Sequence, residues 1–472
     1  MSSTLAITRQ ALRGMLRSRV VLVLLGVLVI AACWLPLTVR GDGTLTGMIR
    51  LQLTYPLGIG MFLLTLATLW AGCSGIAGEA ETKTLHLLLV KPVGRFRIWL
   101  GKWLALLLIN AICLTIIAGA VGIGLQWQLR TRNFPASALD EARATTLAAL
   151  QTLPPLQPDI TAPVQQAYEQ WLAQTPNAQE IPASVILPAI RRTVLARAFS
   201  VPPNDALTLH YPLARHPTAP YLAVQWRGES SVPGSVEINA TVELRIGHQT
   251  FKRPIRTIPG SLQTIVFENL PAADQATLMF HNHGSHQNAT LFFDPTDGLL
   301  LRQPVGRFAT NYLHALIQMF ARLALFAAIG LTLGTFFSRP VAGFLALVLV
   351  LILQLSGFIT AAAQVDRATF IENVAQFGAT AHTHDDSHPA PAPTLAARAT
   401  AAVLYYTYRG TWLALRPLLT DRTLDDLSTG THIPLRQVCK NLAQQALLFP
   451  LILGLLATAV LKKREWGQPA LT

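Results

Sequence analysis

The chain has 472 residues, of which 51% are hydrophobic and only 13% charged, and its mean hydropathy of +0.40 excludes an ordinary soluble protein, whose charged fraction is about 25%. The formal net charge of +13 does not point to nucleic acid. The basic residues are scattered or sit at the ends of apolar runs, where membrane orientation accounts for them.

Thr4 to Arg19 sets Arg9, Arg13 and Arg17 at i, i+4 spacing with Leu5, Leu12 and Leu16 on another side, which predicts a basic helix lying on the inner leaflet. Arg19 abuts a first span, Val20 to Val39. Ile30-Ala31-Ala32-Cys33 resembles a bacterial lipoprotein cleavage box, but apolar residues continue past Cys33 through Trp34, Leu35 and Leu37, which favours a span over a leader. The other cysteines, Cys73, Cys113 and Cys439, give no disulfide framework with it. A second span is predicted from Leu51 to Ile76 and a third from Trp99 to Leu125.

Between those two spans lies a charged, proline-broken segment. Leu85, Leu88 and Leu89 share one face at helical spacing, with Glu79, Glu81 and Lys83 ahead and Lys91 behind, a pattern for a short amphipathic helix. Pro92 ends that helix, and Gly94 permits a turn before Arg95, Phe96, Arg97 and Trp99 lead back into an apolar run. The order Glu79, Glu81, Thr84, Leu85, Leu88, Leu89, Lys91-Pro92-Val93, Arg95 and Gly101-Lys102 resembles the loop of type 2 ATP-binding-cassette (ABC-2) transporter permeases, roughly E-x-E-x-G-T-L-x-x-L-L-x-x-P-V-x-R followed by G-K. Lys83 departs from it where that family often has glycine. The resemblance implies that this loop holds a coupling helix touching a separate ATPase subunit, with Glu79, Glu81, Thr84, Leu85, Leu88, Pro92, Arg95 and Lys102 as the coupling residues.

From Gln126 to Phe308 no run reaches the roughly 20 apolar residues that a bilayer requires, so an inserted domain is expected. Its first part, Ala136 to Ala198, reads as helices broken at prolines, one marked by Leu139, Leu147 and Leu150 and another by Val185, Ile186, Ile190 and Val194. After Val201-Pro202-Pro203 the period becomes two. Val236 to Ile246 alternates apolar with polar residues, and shorter strands are predicted at Leu207 to Tyr211, Tyr221 to Trp226, Leu262 to Phe267, Thr277 to His281, Thr290 to Phe293 and Leu299 to Arg302, together a β-sandwich.

Asn311 to Phe337 makes a fourth span, the Ser338-Arg339-Pro340 turn leads to a fifth from Val341 to Ala363, and a last runs from Leu442 to Leu461 into Lys462-Lys463-Arg464. Leu395 to Leu415 reads as an interfacial helix, seated by Leu404, Tyr405 and Tyr406. Asp425, Leu427, Gly430 and Ile433 are similar to the closing segment of the same permease family. The expected fold class is therefore an α-helical polytopic membrane protein of about six transmembrane helices with an inserted extracytoplasmic α+β domain, helical part plus β-sandwich. The parts are residues 1–125 (basic helix, three spans and the loop 79–98), the outer domain 126–308, the span pair 309–363, an outer loop 364–441, and 442–472 with the last span and tail. Gathering the basic clusters on one side puts both termini in the cytoplasm of a bacterial inner membrane.

The chain has no catalytic constellation and no ATPase signature, since Trp103 follows Gly101-Lys102 where a phosphate loop needs Ser or Thr. A permease would thus bind no cofactor itself and rely on ATP and Mg held by the partner ATPase, with a second copy of the chain, membrane lipid and an envelope protein as further partners. Asn110, Arg322 and Gln354 are polar groups within spans and candidates for a translocation path, against a bland role in helix–helix bonding or snorkelling. His281, His283 and His286, and His382, His384 and His388, carry the donors zinc or copper takes, but no thiolate supports a site and solvated loops are the favoured reading. The rival functions are a membrane-anchored binding or scaffold protein that transports nothing, an outer-domain hydrolase for which no motif speaks, and a metal-handling permease.

Overall fold

The computed structural model describes residues 3–17, 44–84, 93–131, 134–156, 159–175, 183–213, 221–232, 237–271, 273–284, 289–354, 394–419 and 422–463, with isolated positions between them. In chain order the elements begin with helices α1 (Ser3–Arg17), α2 (Leu45–Glu81), α3 (Arg95–Thr131) and α4 (Ala136–Ala144), then β1 (Ala148–Leu153), α5 (Thr161–Gln174) and α6 (Ala183–Ala198). Ten strands follow: β2 (Ser200–Val201), β3 (Ala206–Pro212), β4 (Tyr221–Trp226), β5 (Gly228–Ser230), β6 (Ile238–Ile246), β7 (Gln249–Thr257), β8 (Gln263–Glu268), β9 (Gln275–Asn282), β10 (Leu291–Phe293) and β11 (Leu299–Arg307). The chain closes with α7 (Phe308–Phe336), α8 (Arg339–Gln354), α9 (Leu395–Leu419), α10 (Thr423–Ser428), α11 (Leu435–Asn441), a π-helical segment (Leu442–Leu448) and α12 (Phe449–Lys463). Two compact units result, one of Met1–Ala142, Arg307–Thr360 and Leu415–Thr472, the other of Arg143–Gly306 and Ala361–Ala414.

The first unit is a bundle of apolar helices. Among the described residues α2, α3, α7 and the continuous rod Leu435–Lys462 are each long and apolar enough to cross a membrane. The apolar helix Arg339–Leu353 is shorter; the fifth span predicted from Val341 runs on beyond the described residues, and the first, Val20 to Val39, lies outside them apart from isolated helical positions. The last helix starts at Leu435 rather than Leu442, because Asn311 at the head of α7 grips the chain just ahead of it: Asn311 Nδ2 donates to Thr431 O and Ile433 N donates to Asn311 Oδ1, each at 2.8 Å.

Glycines set the tightest contact of this bundle. A Cβ on Gly330 would lie 2.8 Å from Leu69 O, one on Gly334 2.4 Å from Cys73 O, and one on Gly72 2.9 Å from Leu331 N, so the backbones of α2 and α7 touch. Gly330 and Gly334 are four residues apart and lie on one helix face, the small-residue device by which apolar helices approach where lipid offers no hydrophobic drive. The two helices run parallel. Helix α3 runs against them, its Trp103 Nε1 donating to Ala324 O and Tyr312 of α7 donating to Ala118 O.

The second unit contains three antiparallel arrangements, β1-β11-β4-β8, β2-β10-β5 and β3-β9-β6-β7, whose apolar faces meet in a single core. Trp226 of β4, Phe280 of β9 and Phe293 of β10 pack edge to face, with centroid distances of 6.2 Å and 4.9 Å, a geometry aromatic rings prefer. Tyr211 donates to Leu299 O and Trp226 Nε1 to Thr257 Oγ1, so these buried polar tips are satisfied across the core. The alternation read at Val236 to Ile246 appears as β6, with Ile238, Ala240, Val242, Leu244 and Ile246 all buried.

Two elements depart from the sequence reading. Leu147 and Leu150 do not share a helix with Leu139: α4 ends at Ala144, and Ala148 to Leu153 pairs at the edge of a sheet, where Ala148 and Leu150 pack on Ala223. Sheet pairing there overrides the helical preference of alanine and leucine. Strand β7 was not expected because Pro254 falls within it; as an edge strand it tolerates proline and carries Lys252, Arg253 and Arg256.

On the polar side of β6 one acid is buried. The Glu243 side chain is 2% exposed and receives Arg245 Nε at 2.6 Å and Lys252 Nζ at 3.0 Å. Burial alone would raise its pKa, but the hydrogen bonds from Lys252 and Arg245 outweigh that and hold it below the usual carboxylate range. A depressed carboxylate contributes stability above its unfolded value, near 4.3, and loses it as pH falls through the folded value.

Two outcomes follow. Gly334→Val should destabilise the detergent-solubilised chain by on the order of 3 kcal/mol, read as a lowered Tm, because its side chain must enter the α2 backbone. Glu243→Gln should speed hydrogen exchange in β6 and β9 at neutral pH, and the difference from wild type should shrink as pH falls below about 4.

Candidate functional site

The C-terminus of α2, the N-terminus of α3, the α7–α8 turn and the end of α12 meet at one end of the first unit. Lys102 sits about two turns into α3, is 2% exposed, and its Nζ lies 2.5 Å from Glu79 Oε2 and donates to Gly75 O. Arg95 Nη1 donates to Leu461 O at 2.5 Å, joining α3 to α12. Glu81 Oε1 accepts from Arg339 N at 3.1 Å, and Gly78 leaves room for the Arg339 guanidinium, whose Nη2 lies 3.3 Å from where a Cβ would be. Four helices are thus tied together by groups that flank the loop on both sides.

Basic α1 joins the same end. A Cβ on Gly101 would lie 2.8 Å from Ile7 Cγ2, so α1 rests on the α3 backbone, and its buried side is Ile7 and Met15. Leu5 and Leu16 stay exposed, as do Arg9, Arg13 and Arg17. A helix with one apolar side in the bundle and further leucines outside it suits a membrane surface.

The entry to the loop is shaped by its backbone. Thr82 N donates to Gly78 O, Thr82 Oγ1 lies 2.9 Å from Thr84 Oγ1, and Thr84 Oγ1 donates to Glu79 O, closing the end of α2. Between the two threonines Lys83 takes φ 57°, the left-handed region that favours glycine. The position where the resembling loops often carry glycine is therefore the one where this backbone asks for it. Leu85, Leu88 and Pro92 lie outside the described residues.

The other candidates separate. Asn110 Oδ1 accepts from Thr68 Oγ1 at 2.8 Å, bonding α3 to α2. Arg322, at the middle of α7, has its guanidinium 5.7 Å from the Phe326 ring centroid and lines a cavity of about 490 Å³. The Gln354 side chain lies outside the described residues. In the second unit the His281 and His283 rings stack at 6.4 Å, His283 Nε2 lies 2.7 Å from Thr241 Oγ1, and His281 Nε2 lies 3.5 Å from Glu243 Oε2. Among the described residues no group of three or more His, Cys, Asp or Glu side chains is placed to hold a metal; His286, His382, His384 and His388 lie outside them.

The pairing of Glu79 with Lys102 was not visible in the sequence, since the loop separates them. Its only signal was a lysine three residues inside an apolar run. Lys102→Met should cost about 3–5 kcal/mol of stability by leaving Glu79 without its partner, and adding Glu79→Gln should restore part of it, measured as Tm in detergent. Lys83→Gly should be neutral to stabilising by about 0.5–1 kcal/mol, whereas Lys83→Val should destabilise.

Comparison with known proteins bears on this end of the bundle. Residues 5–153 match a family described as "ABC-2 family transporter protein", a stretch running from α1 through the loop and α3 to β1. No curated protein matches the chain. Among solved structures, "Family 16 Carbohydrate Binding Module-2" is similar at 14% identity over 22% of this chain and 73% of that one, with a TM-score of 0.15, a likeness too slight to carry an argument. The loop whose residues resemble that family, Glu79 to Lys102, lies inside the matched stretch, and residues 5–153 are therefore similar to the ABC-2 transporter family.

Proposed function

We propose that the chain is the permease subunit of an ABC-2 exporter in a bacterial inner membrane, driven by a separate ATPase that holds ATP and Mg, and working as a pair of copies. The observation that carries this reading is the knot of Glu79–Lys102, Arg95–Leu461 and Glu81–Arg339 at one end of the bundle. The loop it flanks leaves α2 and enters α3 directly from that knot, so a push on the loop is delivered to four helices at once. The same end gathers Arg9, Arg13 and Arg17 of α1 with Arg97, Arg339 and Lys462, which by the positive-inside rule makes it the cytoplasmic face. Residues 126–308 are then extracytoplasmic, as a β-sandwich with a helical part that receives substrate or binds an envelope protein.

Within the loop, Glu79, Arg95 and Lys102 serve as the internal frame and Leu85, Leu88 and Pro92 as the docking helix and its stop. Charge reversal of the frame would unfold the bundle as well as uncouple it, so the test uses the docking face. A mild-detergent pull-down of the tagged chain from its native membrane should recover a soluble subunit with a nucleotide-binding phosphate loop. Leu88→Asp should reduce that recovery at least about tenfold, as removal of an interface anchor does, while leaving the Tm of the chain unchanged. Recovery of envelope proteins alone, with no nucleotide-binding subunit, would sink the reading.

A further inference from the structure

The cavity beside Arg322 lies wholly within the first unit, and its walls are of two kinds. It measures about 490 Å³, and its apolar wall is formed by Phe62 of α2, Met319 and Phe326 of α7, Val350 and Leu353 of α8, and Leu424 of α10. That volume is on the scale of a single small ligand. Among the described residues Arg322 is the one charged group on this wall, and it also lines a small polar pocket with Gln318, Arg422, Gln437, Asn441 and Gln445. Among the described residues neither pocket is lined by a carboxylate.

Three further features bear on that junction. Gln318 is 6% exposed, its Oε1 accepts from Thr423 Oγ1 at 2.9 Å, and its Nε2 has no hydrogen-bond partner among the described residues. A buried donor left in that state costs free energy that an acceptor would recover. Gln445 belongs to the π-helical segment Leu442–Leu448, a backbone irregularity that recurs at functional sites. Arg322 stands midway along a helix that crosses the membrane, where a charge costs about 2.5–3.5 kcal/mol on insertion scales and is kept for a task.

We propose that this is a binding site for a single-tailed anionic amphiphile. Its apolar tail lies among Phe62, Met319, Phe326, Val350 and Leu353. Its acidic head sits at Arg322, on the wall of the cavity, taking charge-assisted hydrogen bonds from that guanidinium, with Gln318 and Arg422 lining the small polar pocket behind it. The phenyl face of Phe326 holds the Arg322 guanidinium by a cation–π contact and keeps it at the seam between the two pockets. The proposal rests on the cavity and not on the pumping reading, since binding requires neither ATPase nor nucleotide.

The test is equilibrium binding of radiolabelled probes to the full chain in phosphatidylcholine nanodiscs, counted over empty nanodiscs, without ATPase or nucleotide. Hexadecyl phosphate should bind at least about tenfold more tightly than hexadecanol, and hexadecyltrimethylammonium no better than the alcohol. Arg322→Gln should bring the phosphate down to the alcohol, and Arg322→Lys should keep most of the preference. Ile59→Trp, which narrows the cavity from a partly exposed position on its wall, should weaken phosphate and alcohol alike. Equal binding of phosphate and alcohol would overturn the proposal, as would an unchanged preference in Arg322→Gln. Phosphatidylglycerol in the nanodiscs should leave hexadecyl phosphate binding intact; if it displaced the probe, the occupant would be a two-tailed bilayer lipid and the single-tail assignment would fall. None of these results depends on an ATPase, so failure of the pull-down and failure of this site are separately readable.

Discussion

The backbone contact of α2 with α7 at Gly72, Gly330 and Gly334 is the constraint from which the bundle follows. In lipid, helices gain little by hiding leucine from a solvent that is itself apolar, so they associate where close packing and interhelical bonds reward them. Three glycines allow that approach, and Cys73 of α2 reaches Ala342 O at 3.5 Å next to it. Further along the same two helices, where α2 presents Phe62 and α7 presents Arg322 and Phe326, larger side chains hold them apart and the cavity opens. Contact and cavity are two consequences of where side chains are small and where they are large.

The ends of the bundle obey a different rule. The α2 and α3 termini carry charges, and four of these, Glu79, Glu81, Arg95 and Lys102, are spent inside the knot rather than offered outward. Glu79 and Lys102 neutralise each other against Gly75, and Arg95 satisfies the last turn of α12, whose carbonyls lack partners within the helix. Such groups stiffen the frame around the loop. The exposed cations, Arg9, Arg13 and Arg17 on α1 and Arg97 on α3, are left for lipid headgroups or a partner.

How much of this was legible depends on the range of the signal. Apolar runs of bilayer length, the alternation of β6 and the ordered loop residues are local patterns, and they appear in the sequence where the helices, the strand and the family match lie. Strand β7 was hidden because its proline and cations are what an edge strand uses against unwanted pairing, and β1 because alanine and leucine say helix unless a sheet edge claims them. The Glu79–Lys102 pair and the meeting of Gly72 with Gly330 were out of reach for another reason: each joins residues whose partner is specified only by the packed fold. Of the translocation candidates, Asn110 accepts a hydrogen bond from Thr68 of the neighbouring helix, while the surroundings of Arg322 could not be read from α7 alone, since the cavity takes its walls from four helices.

The separation of those partners along the chain governs how the protein is made. Cys73 and Ala342, which meet beside the glycine contact, are 269 residues apart. At about 5–20 residues per second of synthesis, α2 therefore waits on the order of 10–50 s in the membrane before its partner helix emerges. The Arg143–Gly306 part of the second unit is synthesised during that interval. Until then the notch at Gly72 lacks the α7 backbone that fills it in the folded bundle, and is open to another small-faced helix.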